Sequence, residues 1–341
     1  MKRRRVIGIA AAAAATSAVG TWVRAQQPSP HAIDIPSWFL ESFLDFKDEA
    51  ATAAKGGKRL MLYFGQDGCP YCRELMTNNF SQKAIVDKTR KHFEAVAINI
   101  WGDREVTWTD GQRLSEKQFA KLLKVQFTPT LLFLDEQAQV TSRLNGYWPP
   151  HRFDPALDYV IARLDRKGIS LADHVAQHAH EAANAQLAEE PFYLKPPFDL
   201  RRKAGSKPLA VLWETRSCKA CDEMHSEGFR RAEIKALLAK FDVVRFALGD
   251  ATELIAPDGR KRSANEWARE LKLSYTPSVV FFDAGNREVF RFEGYVRPFH
   301  LAGGFDYVAQ GAYRTQPEFQ RFLQEKTERA KARGQSVDLW K

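Results

Sequence analysis

The sequence is short of cysteine and of long apolar runs, and each shortage removes a class of protein. Four cysteines among 341 residues are too few to build a scaffold from disulfides. The fold must therefore rest on buried apolar surface, and 44% hydrophobic residues over this length is enough for two cores. Beyond the N-terminus no stretch is apolar and long enough to span a bilayer. Charge of one sign is scarce as well. The formal net charge is +9, and Lys2, Arg3, Arg4, Arg5 and Arg24 all fall in the first 25 positions, where no acidic residue stands. Without those five the charge is +4, which argues against nucleic acid or anionic lipid as a partner.

The segment "MKRRRVIGIAAAAAATSAVGTWVRAQQ" has a basic start, an Ala-rich apolar stretch, and Val23 and Ala25 spaced as a cleavage site. This predicts a signal peptide over residues 1–25 and a mature protein in the periplasm with no stable membrane insertion. Arg3 and Arg4 suit twin-arginine export as well as the general route, which leaves the export pathway undecided. Residues 6–23 approach the length of a membrane span, so an uncleaved anchor is the alternative.

All four cysteines are spent on two CxxC pairs, Cys69/Cys72 and Cys218/Cys221, set 149 residues apart. The repeat continues past them. "FAKLLKVQFTPTLLFLDEQAQVTSRLNGY" (119–147) aligns without gaps on "WARELKLSYTPSVVFFDAGNREVFRFEGY" (267–295), with ten identities in 29 positions. Each copy reads as an apolar strand (60–64; 209–213), CxxC, helix, strand (95–100; 243–248) and helix (115–124; 263–272). Thr-Pro, an apolar strand (131–134; 279–282), a second strand ending in Gly-Tyr and a last helix follow. This order predicts an α/β fold of two tandem domains, each a mixed sheet flanked by helices. Domain 1 is placed at 36–167 and domain 2 at 205–335. The connector at 168–204 is read as helical, then extended.

A cysteine acts as nucleophile through its thiolate, which a helix N-terminus stabilises. Cys69 follows a strand and a glycine, with Pro70 at the favoured first helical position. It is the expected attacking thiol and Cys72, one turn inside, the resolving one; Cys218 and Cys221 repeat this. Pro70 offers no N–H and Asp67 is acidic, whereas Arg216 and Lys219 flank Cys218. Local charge thus predicts Cys218 to be the more acidic thiol, with Glu214 and Asp222 opposing.

The order of elements, the CxxC and the Thr-Pro resemble the thioredoxin superfamily. In that family the proline is cis, faces the CxxC, and leaves the preceding backbone free to pair with a substrate strand; Thr128, Pro129, Thr276 and Pro277 match it. "YFGQDGCPYCREL", the "WGDREVTWTDGQRLSEKQFAKLL" insertion, "FTPTLLFLD" and "LNGYWPP" are similar to SoxW-type periplasmic thioredoxins of sulfur-oxidising bacteria. The similarity covers nearly all of domain 1. It implies thiol-disulfide exchange, chiefly reduction of periplasmic protein disulfides and those of sulfur metabolism, fed by a membrane electron donor of the DsbD or CcdA type. No cofactor is implied beyond the cysteine pairs. The sequence departs from the family where a buried acid is expected six residues before the first Cys: Tyr63 and Leu212 stand there. Asp67 and Glu214 are the candidates to take the inner thiol's proton.

Rival readings fare less well. Covalent haem needs His directly after CxxC, where Arg73 and Asp222 stand. A four-thiolate zinc site would have to join cysteine pairs belonging to separate copies of a fold. His174 and His178 share a helical face, but "HEAAN" (180–184) lacks the second His of a zinc-protease helix, so a solvated polar helix is the better reading and no metal site is expected. The basic, acidic and amide-rich tail from Gln324 is read as an exposed helix that frays. A disulfide isomerase or oxidase, and a binding module with structural disulfides, remain the alternative functions.

Overall fold

The computed structural model describes residues 32–178, 186–216, 218–273 and 275–334. The expected signal peptide, His180 and the last seven residues of the tail lie outside these. No helix among the described residues is long and apolar enough to cross a membrane.

Domain 1 opens with α1 (Phe46–Lys55), whose first turn is held by the Asp45 side chain accepting from the Asp48 N–H. It runs into β1 (Arg59–Gly65), buried at every position because helices cover both faces of its sheet. Next come α2 (Pro70–Glu74), a π-helical turn (Leu75–Asn79), α3 (Lys83–His92) and β2 (Phe93–Asn99). The insertion forms a small hairpin, β3 (Glu105–Thr107) and β4 (Arg113–Ser115). A reciprocal Ser115/Gln118 capping box then starts α4 (Glu116–Leu122). β5 (Thr130–Leu134), β6 (Val140–Asn145) and α5 (Pro150–Ile161) complete the unit. The sheet order is β2-β1-β5-β6, with β1 parallel to β2 and antiparallel to β5.

α6 (Leu171–His178) and the two-residue β7 (Phe198–Asp199) lie in the connector. Domain 2 then repeats the plan with β8 (Leu209–Glu214), α7 (Lys219–Glu223), a second π turn, α8 (Ala232–Leu238) and β9 (Asp242–Ala247). β10 (Glu253–Ile255) and β11 (Lys261–Ser263) again make a hairpin, here joined by β7, and Ser263/Glu266 again box the start of α9 (Ala264–Glu270). β12 (Ser278–Phe282), β13 (Glu288–Glu293) and α10 (Pro298–Ala309) follow, and the sheet order β13-β12-β8-β9 mirrors the first. α11 (Phe319–Ala332) repeats α6 in position, with Phe319 and Leu323 buried where domain 1 has Leu171 and Val175, but runs 14 residues to its 8. The expected mixed α/β architecture with two similar domains is what the chain adopts.

The period of two along each strand sorts the cores. In domain 1, Met61 and Tyr63 face one layer with Leu131, Phe133 and Phe153, while Leu60, Leu62 and Phe64 face another with Phe46 and Phe119. The sorting carries across the domain boundary. Phe127 of domain 1 belongs to a domain 2 core, 5.3 Å from Phe292 and 5.6 Å from Phe319 between ring centroids. Tyr275, its counterpart in the repeat, belongs to a domain 1 core, with its ring 4.1 Å from Trp148. Arg152 lies 5.4 Å over the Tyr275 ring and donates to its hydroxyl. Each domain therefore inserts an aromatic side chain into the other.

From Gln324 the charged tail is the largely exposed helix expected, as far as Ala332, and it is anchored where it begins. Phe319, Phe322 and Leu323 of α11 are buried, and Lys326 is anchored to Asp306 at 2.8 Å. The apolar residues lie just before the charged stretch and pin its first turns to the body.

Truncating a buried Phe costs about 3–5 kcal/mol. Phe127→Ala should lower stability by that order and split the thermal unfolding of the full chain into two calorimetric transitions. A variant that melts as one transition at the wild-type temperature would show that the ring does not couple the domains.

Candidate active site

Cys69 and Cys72 are joined as a disulfide, and so are Cys218 and Cys221. Cys69 is the N-cap of α2, its Sγ accepting the Cys72 N–H at 3.1 Å, with Pro70 opening the helix. Cys218 caps α7 in the same way, its Sγ accepting the Cys221 N–H at 3.1 Å. Both outer sulfurs thus sit at the end of a helix where a thiolate would be favoured.

The Thr128–Pro129 and Thr276–Pro277 bonds are both cis. In domain 1 the loop faces the disulfide: Cys69 Sγ lies 3.4 Å from the Thr128 carbonyl oxygen, and the Thr128 hydroxyl donates to Cys69 Sγ at 3.3 Å. Domain 2 differs. The Thr276 hydroxyl pairs with that of Thr215 at 3.0 Å, so its hydrogen bond is spent away from the sulfur.

The residues behind the dithiols differ more. The Tyr63 hydroxyl is buried without a hydrogen-bond partner, and Tyr63 shares a core layer with Cys69 and Cys72. Burial, then the charge of Asp67, pushes its phenol well above the usual range, so it stays protonated at neutral pH. Asp67 itself is exposed at the loop surface. A Cβ on Gly65 would collide with the Tyr63 hydroxyl. Gly65 matches Glu214 in the repeat, so the space domain 2 gives to a carboxylate is filled in domain 1 by a phenol.

Glu214 is 1% exposed, and its Oε1 meets His225 Nε2 at 2.8 Å. The other ring nitrogen, Nδ1, meets Glu190 Oε1 at 3.0 Å, and Arg230 stands 3.4 Å from the same oxygen. His225 comes four residues after Cys221, where domain 1 has Met76. Sequence reasoning named Glu214 but missed His225, Glu190 and the Tyr63 hydroxyl. The available signal was the pairing of two polar-for-apolar differences, Glu214 for Gly65 and His225 for Met76, within aligned elements.

The two CxxC helices share a cleft of about 330 Å³, with Tyr71 and Glu74 on one side and Lys219 and Glu223 on the other. The Tyr71 hydroxyl accepts the Arg297 N–H across it at 3.2 Å. A second cleft, of about 450 Å³, opens beside Cys69 and Thr128, walled by His300 and by Gln320, Gln324 and Lys331 of α11. His300 packs 5.1 Å from Tyr71, and burial, with Arg297 adding, pushes its imidazole down to about 4, leaving it neutral. Among the described residues no group of three or more His, Cys, Asp or Glu is placed to hold a metal ion, and His174 and His178 stack on each other at 4.1 Å.

A helix-capping disulfide and a cis Thr-Pro bond, each present twice, with the loop facing the sulfur in domain 1, define a thioredoxin-like site. Residues 46–161 and 201–309 each match the thioredoxin-like domain family, and the chain belongs to that family. Among solved structures it is similar to a thioredoxin-fold protein from Helicobacter pylori (24% identity, 36% of this chain and 83% of that one, TM-score 0.31). It is also similar to a thioredoxin from Thermus thermophilus (24%, 40% and 94%, TM-score 0.28) and to a DsbH oxidoreductase (15%, 42% and 94%, TM-score 0.27). No curated protein matches the sequence. Family membership together with two CxxC pairs supports thiol-disulfide oxidoreductase chemistry at the general level.

Glu214 and Glu190 outweigh the burial that alone would lower the His225 pKa, and raise it above its ordinary 6.5. A raised folded-state value means that the contribution is fully present below 6.5 and is lost as pH rises through the folded value. Removing the imidazole leaves two buried carboxylates facing each other, a loss of about 3–5 kcal/mol. His225→Gln should therefore melt lower at pH 6 and lack the wild-type decline in melting temperature from pH 6.5 upward. Parallel pH curves for the two proteins would refute the assignment.

Proposed function

We propose that the chain is an exported thiol-disulfide oxidoreductase that reduces disulfides of periplasmic proteins. Cys69 and Cys218 attack, Cys72 and Cys221 resolve, and the Thr128–Pro129 and Thr276–Pro277 loops receive the substrate backbone. The observation that carries this is Cys69 Sγ at a helix N-cap, 3.4 Å from the Thr128 carbonyl beside cis-Pro129. A strand docked on that loop presents its sulfur to the helix end, where the departing electron pair is stabilised. The basic, Ala-rich N-terminus supports export. The segments similar to SoxW-type thioredoxins support a role in sulfur metabolism, with a membrane dithiol donor of the DsbD or CcdA type restoring the reduced pairs.

The Thr128 hydroxyl beside Cys69 Sγ favours a thiolate there once the pair is reduced, against the order that local charge predicts. Lys219 is half exposed and stands 3.9 Å from Glu223, so its field at Cys218 is screened and shared. A hydrogen bond to a charged group in a buried site contributes about 1.5–3 kcal/mol, and Cys69 has one from Thr128.

Two measurements check this reading. In the full-length protein, Cys72→Ser with Cys221→Ser should accumulate mixed disulfides through Cys69 and Cys218 in the periplasm. Recovery of only unmodified protein would remove the oxidoreductase assignment. Thr128→Val should raise the Cys69 pKa, followed by alkylation rate against pH, by about one unit, while Thr276→Val leaves Cys218 unchanged; equal effects would restore the charge-based order.

A further inference from the structure

The two outer sulfurs are closed in. Cys69 is 5% exposed and Cys218 3%. Inserted aromatics adjoin both Thr-Pro loops. Phe127, next to Thr128, is held in the domain 2 core, and Tyr275, next to Thr276, in the domain 1 core. The backbone edge leading to the domain 1 loop is also occupied, since Gln320 of α11 donates to the Gln126 carbonyl at 3.1 Å and Gln66 donates to Gln320 at 3.3 Å. What remains beside Cys69 is the cleft of about 450 Å³. That is the size of a small-ligand pocket, whereas a folded protein needs about 800 Å² of open surface on each partner to dock.

We infer that the Cys69 site of the closed molecule accepts disulfides with no folded body behind them, carried by small thiols or by unfolded chain segments, and turns away disulfides set in a folded surface. This rests on the oxidoreductase reading and narrows its substrate class. The chemistry within the cleft is balanced by the dithiol alone. The Cys69 thiolate attacks one sulfur of R–S–S–R′, forming Cys69–S–S–R and expelling R′S⁻, which takes a proton to become R′SH. Cys72 then attacks Cys69 Sγ and expels RS⁻, which is protonated in turn. Two electrons pass to the substrate and the Cys69–Cys72 disulfide is left. Domain 2 acts here as a wall: it supplies Gln320, Gln324, Lys331 and neutral His300 to a site whose reacting atoms belong to domain 1.

The test uses the full chain carrying Cys218→Ser and Cys221→Ser, reduced beforehand and freed of reductant, so that only the first site reacts. Its oxidation is followed with oxidised glutathione, with a linear peptide disulfide, and with a folded single-disulfide protein of similar reduction potential. The first two should react at least about tenfold faster than the third, because access limits the exchange. The glutathione and peptide arms tell the two sources apart. Adding Phe127→Ala should raise the rate with the folded protein and bring the ratio toward one. Should that variant fail to fold, the ratio in its parent decides alone. Equal rates with all three would overturn this inference and leave the oxidoreductase reading intact. Oxidation by none of them would overturn both.

Discussion

The molecule is organised around one exchange: the aromatic residue that precedes each Thr-Pro is buried in the other domain. A loop that carries a cis-proline at a disulfide has to be rigid to be useful, yet loops at the ends of strands have little packing of their own. Here the neighbouring domain provides it. Phe127 sits among Phe290, Phe292 and Phe319, and Tyr275 lies against Trp148 under Arg152. Positions in both sites are thereby fixed by contacts made outside the domain that carries the cysteines. The two CxxC helices stand on either side of a common cleft, and both outer sulfurs are nearly buried.

Within that shared frame the copies have diverged at the groups behind the dithiols. Domain 1 has a phenol that keeps its proton, and domain 2 a histidine between two carboxylates. Both answers fill one space, as Gly65 and Glu214 show: the carboxylate could not be accommodated where Tyr63 reaches, and the phenol is missing where Leu212 stands. A buried carboxylate needs a counter-charge, and His225 provides it, with Arg230 near the far carboxylate. The differences at Gly65/Glu214, Tyr63/Leu212 and Met76/His225 thus form a single compensated set. The outer shell diverged too, since Thr128 serves the sulfur and Thr276 serves Thr215.

Much of this was legible in the sequence, and what was not has a common cause. The strands at 60–64 and 209–213 and the capping positions of Cys69 and Cys218 follow from local pattern, because period and caps act over a few residues, while the cis Thr-Pro bonds were expected from the family resemblance. The small hairpins 105–115 and 253–263 and the start of α11 escaped, being too short or too plainly charged to show a period. The insertions of Phe127 and Tyr275 were hidden for a different reason. An aromatic beside a core strand reads as a member of its own core, and nothing local says that it belongs to another. Glu214 was visible as a candidate, but its meaning depended on His225 and Glu190, eleven and twenty-four positions away.

The traded aromatics also impose an order in time. Domain 1 is synthesised first, and the Trp148 ring that Tyr275 will cover has to wait for 127 more residues. At about 5–20 residues per second that is on the order of ten seconds. Throughout this interval the nascent first half presents a bare indole and an unseated Phe127, both apolar and both beside a pair of thiols. The chain is thus most open to misassociation when it is half made, and the arrival of Tyr275 on Trp148 ends that exposure.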